Sequence, residues 1–255
     1  MIRVIIVLLA VVSAAIATPI VVNPSGPSGR LLGGVAVNLG QVPHMASLRS
    51  LTNVHFCGGS IVSNRYVVTT AMCTLGRALN GVRVVVGTVT LNAGGATHTS
   101  SNITFHPAFN RETLENDLSL VFTATAIAFT VNVQAVPLSA NIIGGNVAVQ
   151  ISGWGTNTIG GGQGPNNLQR MTTTTLTNDE CRTRLTSRNA ERVNDNKICA
   201  LTRSSEGICY GDEGGGLIAG GQLVGVASWH VPCATGVPDV YERIAAHRLW
   251  IVSFI

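Results

Sequence analysis

Residues 207–216 read Gly-Ile-Cys-Tyr-Gly-Asp-Glu-Gly-Gly-Gly, and half of them are glycine. Glycine enters left-handed backbone conformations at little steric cost, so this stretch is built to turn sharply. Such a loop can aim several backbone N–H groups at one point, with Asp212 and Glu213 at its centre.

On either side the chain breaks into short runs rich in valine, threonine and leucine, separated by Gly, Asn and Ser clusters. The runs Ile61–Val68, Val82–Leu91, Leu118–Thr125, Val147–Ser152 and Leu223–Trp229 read as strands. Many short strands at this spacing predict an all-β sandwich or barrel. The strongest helix signal is terminal: over Ile244–Ile255, helical spacing puts Ile244, Arg248, Leu249 and Val252 on one docking face. A second short helix is expected near Asn178-Asp179-Glu180, just before Cys181. Gly160–Pro165 reads as a mobile loop.

The first 17 residues carry Arg3, an apolar run Val4–Val12 and the small-residue ending Ala15-Ile16-Ala17, the layout of a secretory signal peptide. The run is too short for a membrane span, which needs about 20 apolar residues. Residues 18–30 (TPIVVNPSGPSGR) read as an extended, cleavable propeptide ending in Arg30. Residues 31–255 are long enough for one large all-β domain or two small ones. Of 16 basic side chains, Arg3 and Arg30 lie in segments expected to be removed, leaving 14 against 12 acidic ones. Near-neutrality argues against nucleic acid or an anionic membrane as the main partner.

All six cysteines follow the leader, which predicts an extracellular protein with three disulfides. Counting leaves the pairing open. No Cys-x-x-Cys or His-x-x-x-His spacing suggests a metal, and nothing calls for a cofactor. Asn102-Ile103-Thr104 is the one N-glycosylation acceptor sequence. His44, His98, His106 and His247 read as surface or turn residues.

Taken together, Leu31-Leu32-Gly33-Gly34, His55-Phe56-Cys57-Gly58-Gly59-Ser60, Thr69-Thr70-Ala71-Met72-Cys73, Asn116-Asp117-Leu118-Ser119-Leu120, Ser152-Gly153-Trp154-Gly155, the Gly207 loop and Ser228-Trp229 resemble the chymotrypsin-like (S1) serine proteases, in that order and at those intervals. The resemblance implies two six-stranded antiparallel β-barrels with a C-terminal helix. With only three disulfides expected, the chain resembles arthropod members. By the same resemblance Cys57 pairs with Cys73, Cys181 with Cys199 and Cys209 with Cys233.

The family's catalysis uses a histidine base, an aspartate that holds the imidazole's tautomer, a serine nucleophile and two backbone N–H groups for the oxyanion. Carried over residue by residue, the histidine position holds Met72, the aspartate position Asp117 and the serine position Glu213. A thioether carries no proton near neutral pH. A carboxylate is a poor nucleophile toward an amide. The oxyanion donors fall on Gly211 and Glu213, and the Glu213 carboxylate is expected to fold back onto them.

Further positions follow from the resemblance. Ser47, His55 and Asp212 match an inactive-state network that cleavage after Arg30 dissolves, when the new amine of Leu31 pairs with Asp212. The primary pocket carries Gly207 at its floor, Ser228 and His230 along its mouth, and Asp239 where a wall glycine is common. His230 is expected to narrow the entrance. The implied function is a secreted, catalytically inactive serine protease homologue that binds a protein: a protease, a protease substrate or an inhibitor. One alternative is an active S1 serine endopeptidase. A further alternative is a non-enzymatic binder of microbial surfaces, for which the scattered arginines give thin support.

Overall fold

The computed structural model describes residues 31, 33–156, 164–201, 203–231 and 233–255. The expected signal peptide, the propeptide with Arg30, and most of the Gly160–Pro165 loop lie outside the described residues.

Six strands form the first closed antiparallel barrel: β2 (Met45–Arg49), β3 (His55–Ile61), β4 (Tyr66–Thr69), β5 (Arg83–Val86), β6 (Ala96–Phe105) and β7 (Ser119–Thr123), in the order β2-β3-β4-β7-β6-β5. The second runs β9-β10-β13-β12-β11-β8, from β8 (Ala148–Gly153), β9 (Gln169–Leu176), β10 (Lys197–Leu201), β11 (Gly216–Ala219), β12 (Gln222–Trp229) and β13 (Asp239–Arg243). A β8–β9 pairing closes it, and β1 (Val35–Ala36) adds on β9. The helices are α1 (Ala71–Thr74), α2 (Asn178–Thr183), α3 (Ser187–Ala190) and α4 (Ile244–Val252). Both expected barrels and the terminal helix are present.

Side chains alternate across a strand, and here the alternation sorts residues between three cores. On β4, Val67 joins the first barrel's interior with Leu48, Val84 and Val121, whereas its neighbour Val68 packs outward with Leu118, Leu120, Val226 and Ile244. That outward cluster draws on both barrels and on α4, so it glues them together. The second interior holds Leu31, Ile151, Met171, Ile198, Leu217 and Tyr241.

Ile61–Val68 is not one strand. Val62–Arg65 form the turn between β3 and β4, where the Val62 N–H donates to the Tyr66 carbonyl at 2.9 Å and the Ser63 hydroxyl accepts from the Tyr66 N–H at 3.2 Å. The Val82–Leu91 run supplies only the four residues of β5. Helix α4 docks through Ile244, His247 and Ile251, not through the expected Arg248, Leu249 and Val252; Leu249 is 81% exposed. A histidine belongs to the buried face because its Nε2 lies 3.1 Å from Oε2 of Glu242, itself fully buried. His98 is likewise buried, with Nδ1 2.8 Å from the Thr125 hydroxyl, so neither is the surface residue expected. Helix α2 falls where expected and starts with a capping box: Thr177 accepts from the Glu180 N–H, and Glu180 accepts from the Thr177 N–H.

The structure pairs Cys57 with Cys73, Cys181 with Cys199 and Cys209 with Cys233, at sequence separations of 16, 18 and 24. Loops of that size are worth about 3 kcal/mol each in the chain-entropy account.

Candidate functional site at the barrel junction

The Gly207 loop leaves β10, passes through Cys209 and enters β11, pressing against the first barrel on the way. Gly214 has a φ of +79°, and a Cβ there would lie 2.1 Å from the Thr69 hydroxyl of β4, so no other residue fits. The Gly58 N–H of β3 donates to the Glu213 carbonyl at 2.8 Å, and the Gly214 N–H donates to the Ala227 carbonyl of β12 at 2.8 Å. The Cys209–Cys233 bridge clamps the loop from behind. Glu213 is thereby fixed between the barrels.

Across the junction stand Met72 on α1 and Asp117 just before β7. The Thr70 hydroxyl caps α1 by accepting from the Cys73 N–H at 3.2 Å, which turns the Met72 N–H toward Asp117. Asp117 Oδ1 accepts from that N–H at 2.9 Å, and Oδ2 accepts from the Ser228 hydroxyl at 2.8 Å. Burial pushes the Asp117 carboxyl up to about 6, against the lowering effect of those two bonds. Met72, 40% exposed, lines a cleft of about 370 Å³ with Leu114, Tyr210, Glu213, Trp229 and His230.

The Glu213 side chain turns inward. Its Oε2 accepts from the Gly211 N–H at 2.7 Å, and its Oε1 lies 3.1 Å from His230 Nε2. His230 Nδ1 is 3.1 Å from the Val231 carbonyl. Both ring nitrogens therefore face acceptors, an arrangement that only an imidazolium satisfies in full. Burial alone would lower the His230 pKa, but the bond and charge of Glu213, with help from the Val231 carbonyl and Asp239, hold it above the usual 6.5.

The scan against protein families matches residues 31–251 to the Trypsin family. The chain belongs to the trypsin family. It is 32% identical over 226 residues to Trypsin delta of Drosophila melanogaster, covering 88% of each chain. It is 36% identical over 222 residues to Chymotrypsin-2 of Vespa crabro, covering 87% of this chain and 98% of that one. Trypsin alpha of Drosophila melanogaster is 32% identical over 226 residues, covering 88% and 87%.

Within this trypsin-family domain the residues expected to govern activation lie close together but are not all bonded to one another. The Ser47 hydroxyl and His55 Nδ1 are 2.8 Å apart, yet His55 Nε2 meets the Gly211 carbonyl at 3.0 Å rather than Asp212. Burial pulls the His55 pKa down to about 4, so the ring is neutral at pH 7: Nε2 donates to the carbonyl and Nδ1 accepts from the hydroxyl. Asp212 is fully buried, its Oδ1 accepting from the Gly155 N–H at 2.7 Å and its Oδ2 from the Cys209 N–H at 3.0 Å. Among the described residues no salt bridge reaches it. Burial pushes its carboxyl up to about 7. Leu31 is 1% exposed, its side chain in the second barrel's core.

The expected pocket is tightly packed. Asp239 Oδ2 accepts from the Ile208 N–H at 2.9 Å, and a Cβ at Gly207 would lie 2.9 Å from the same oxygen. Burial raises the Asp239 carboxyl to about 7. Ser228 and His230 line the 370 Å³ cleft, but neither Gly207 nor Asp239 does. His230 stands against the Tyr210 ring, 5.2 Å between centroids. Beside it runs a larger groove of about 630 Å³ lined by Val54, His55, Phe56, Trp154, Tyr210 and Gly211.

Sequence reasoning missed one buried network. Lys197 of β10 and Glu242 of β13 are register partners and form an ion pair with no exposed side-chain surface. Glu242 also accepts from the Asp117 N–H at 2.7 Å. Burial alone would raise Glu242, but His247 and Lys197 hold it below the usual carboxylate range. The signal was present only as a basic residue opening the run Lys197–Leu201 and an acidic one among the charges of Asp239–Arg243, and only the register shows that they meet.

Proposed function

We propose that the protein is a secreted, catalytically inactive member of the trypsin family that acts by binding a polypeptide partner, with cleavage after Arg30 as its switch. The observation that carries this reading is the Glu213 carboxylate seated on the Gly211 N–H, the donor a substrate oxygen would need. Met72 at the base position offers no proton acceptor to complete a triad. Losing serine or histidine from a comparable triad costs on the order of 10⁶ in turnover, about 8 kcal/mol of barrier. The junction keeps two adjoining grooves, so a polypeptide has a surface to lie on. Three disulfides and the leader reading support an extracellular setting. The buried Asp212, which no salt bridge reaches among the described residues, supports the switch, because a new amine at Leu31 would supply a direct ion-pair partner.

A second reading, an active S1 endopeptidase, is favoured by the proteases among its relatives. The test is labelling by a fluorophosphonate probe after cleavage at Arg30, for the native chain and for Met72→His/Glu213→Ser. Labelling of the double variant alone is the expected result. Labelling of the native chain, with hydrolysis of mixed peptides, would establish the second reading.

A further inference from the structure

The Glu213–His230 contact does more than remove a nucleophile. Both partners are largely sequestered, with 22% and 5% of their side chains exposed, and both line the 370 Å³ cleft. The carboxylate ties together two separate elements: the Gly211 turn, through the N–H, and the segment after β12, through the imidazole. The ring is anchored at its other edge by the Val231 carbonyl and flanked by Tyr210.

We propose that Glu213 and His230 form a pH-sensitive latch that covers the Gly211 N–H inside the cleft, closed while the imidazole is protonated and released when it loses its proton. The proposal rests on the reading of the cleft as a binding surface and names its regulation. A neutral ring has one N–H for two acceptors. If that N–H stays with the Val231 carbonyl, the unprotonated Nε2 faces a carboxylate and repels it, freeing Glu213 and uncovering the Gly211 N–H for a polypeptide carbonyl. If it goes to Glu213 instead, the anchor to Val231 is lost. Either way the proton leaves to solvent and the three-way contact breaks.

The surrounding charges decide the direction. Asp239 of β13 lies behind the ring, Asp212 sits beside Glu213 in the Gly207 loop, and His55 of β3 faces Glu213. His55 is neutral across the range because of its depressed pKa. Asp212 and Asp239 ionise near 7, and their added negative charge favours the imidazolium. They delay release rather than cause it. Because the folded His230 pKa lies above 6.5, the latch holds fully below 6.5 and is lost as pH rises through the folded value.

The experiment is an NMR titration of the ¹⁵N-labelled, disulfide-bonded chain from pH 5 to 9, following the His230 ring and the Gly211 amide. One shared midpoint above 6.5 is expected. Glu213→Gln should lower the His230 midpoint and shrink the Gly211 response to the part that neighbouring Asp212 gives. His230→Gln should shrink the Gly211 response likewise, leaving only the part due to Asp212, and it decides the matter if Glu213→Gln does not fold. A Gly211 amide that titrates in His230→Gln with the same midpoint and amplitude as in the native chain reports Asp212 alone and overturns the proposal. So does a His230 midpoint unmoved by Glu213→Gln. Probe labelling of the native chain would remove the inactive-homologue reading while leaving this titration to be judged separately.

Discussion

Asp212→Asn in the uncleaved chain tests whether a buried carboxyl with no salt bridge among the described residues burdens the fold. The carboxyl titrates at its ordinary 3.8 when unfolded and near 7 when folded, because burial outweighs the Cys209 and Gly155 N–H groups. A raised folded pKa means its stabilising contribution is complete below 3.8 and drains away as pH rises through about 7. The slope is about 1.3 kcal/mol per pH unit from pH 5 to 6 and about 1 from 6 to 7, and it fades towards zero above 8, so the span from pH 5 to 8 costs about 2.6 kcal/mol. The asparagine has no such slope. It also leaves one of the two backbone donors without an acceptor, a pH-independent penalty of about 1–3 kcal/mol. Urea unfolding with disulfides intact should therefore show the variant weaker at pH 5 and level with, or ahead of, the native chain at pH 8. Asp117 and Asp239, raised to about 6 and about 7, steepen both curves alike, so the difference isolates Asp212. Parallel curves from pH 5 to 8 would refute the reasoning. Cleavage after Arg30 should flatten the native slope as the Leu31 amine arrives, readable in the same assay.

Other parts of the structure give sharper expectations. Lys197→Met strands Glu242 in the interior and should cost about 3–5 kcal/mol in urea unfolding, more than Lys197→Met/Glu242→Gln does. Leu120→Ala opens a cavity in the cluster joining the barrels, for a loss of about 2–5 kcal/mol by the same measurement. Gly214→Ala collides with Thr69 at positive φ, so the yield of folded protein should fall sharply, while Gly220→Ala, which meets nothing within 4 Å, should fall far less. Thr177→Ala removes the α2 cap and should cost about 1 kcal/mol.

What the sequence disclosed follows from how each element is held. Strands whose inward positions are aliphatic, such as Leu223–Trp229, announce themselves because burial selects apolar side chains. Strand β9 does not: it buries Gln169, Met171, Thr173 and Thr175 alternately, and polar threonine hides the period. Strand β6 buries His98, Ser100 and Ile103 across a register shift, so alternation breaks within one strand. The barrels were legible through motifs, whereas these strands were legible only through pairing.

The site divides along the same line. Identity at a position is written in the chain, so a thioether at Met72 and a carboxylate at Glu213 needed no coordinates. Conformation is not. A glutamate pointing into solvent would leave the Gly211 N–H open, and the same letters would then describe an empty anion site. The inward turn requires an acceptor-hungry ring at His230, 17 residues along the chain, and a loop held by Gly58, Ala227 and Cys233. Each tether acts on the backbone of the Gly207 loop, while the imidazole acts on its side chain. Removing His230 alone should therefore leave the loop in place and release only the carboxylate, separating a damaged scaffold from an opened one. In His230→Gly, a Gly211 amide as protected from hydrogen exchange as in the native chain would show that the backbone turn, not the histidine, holds Glu213 inward.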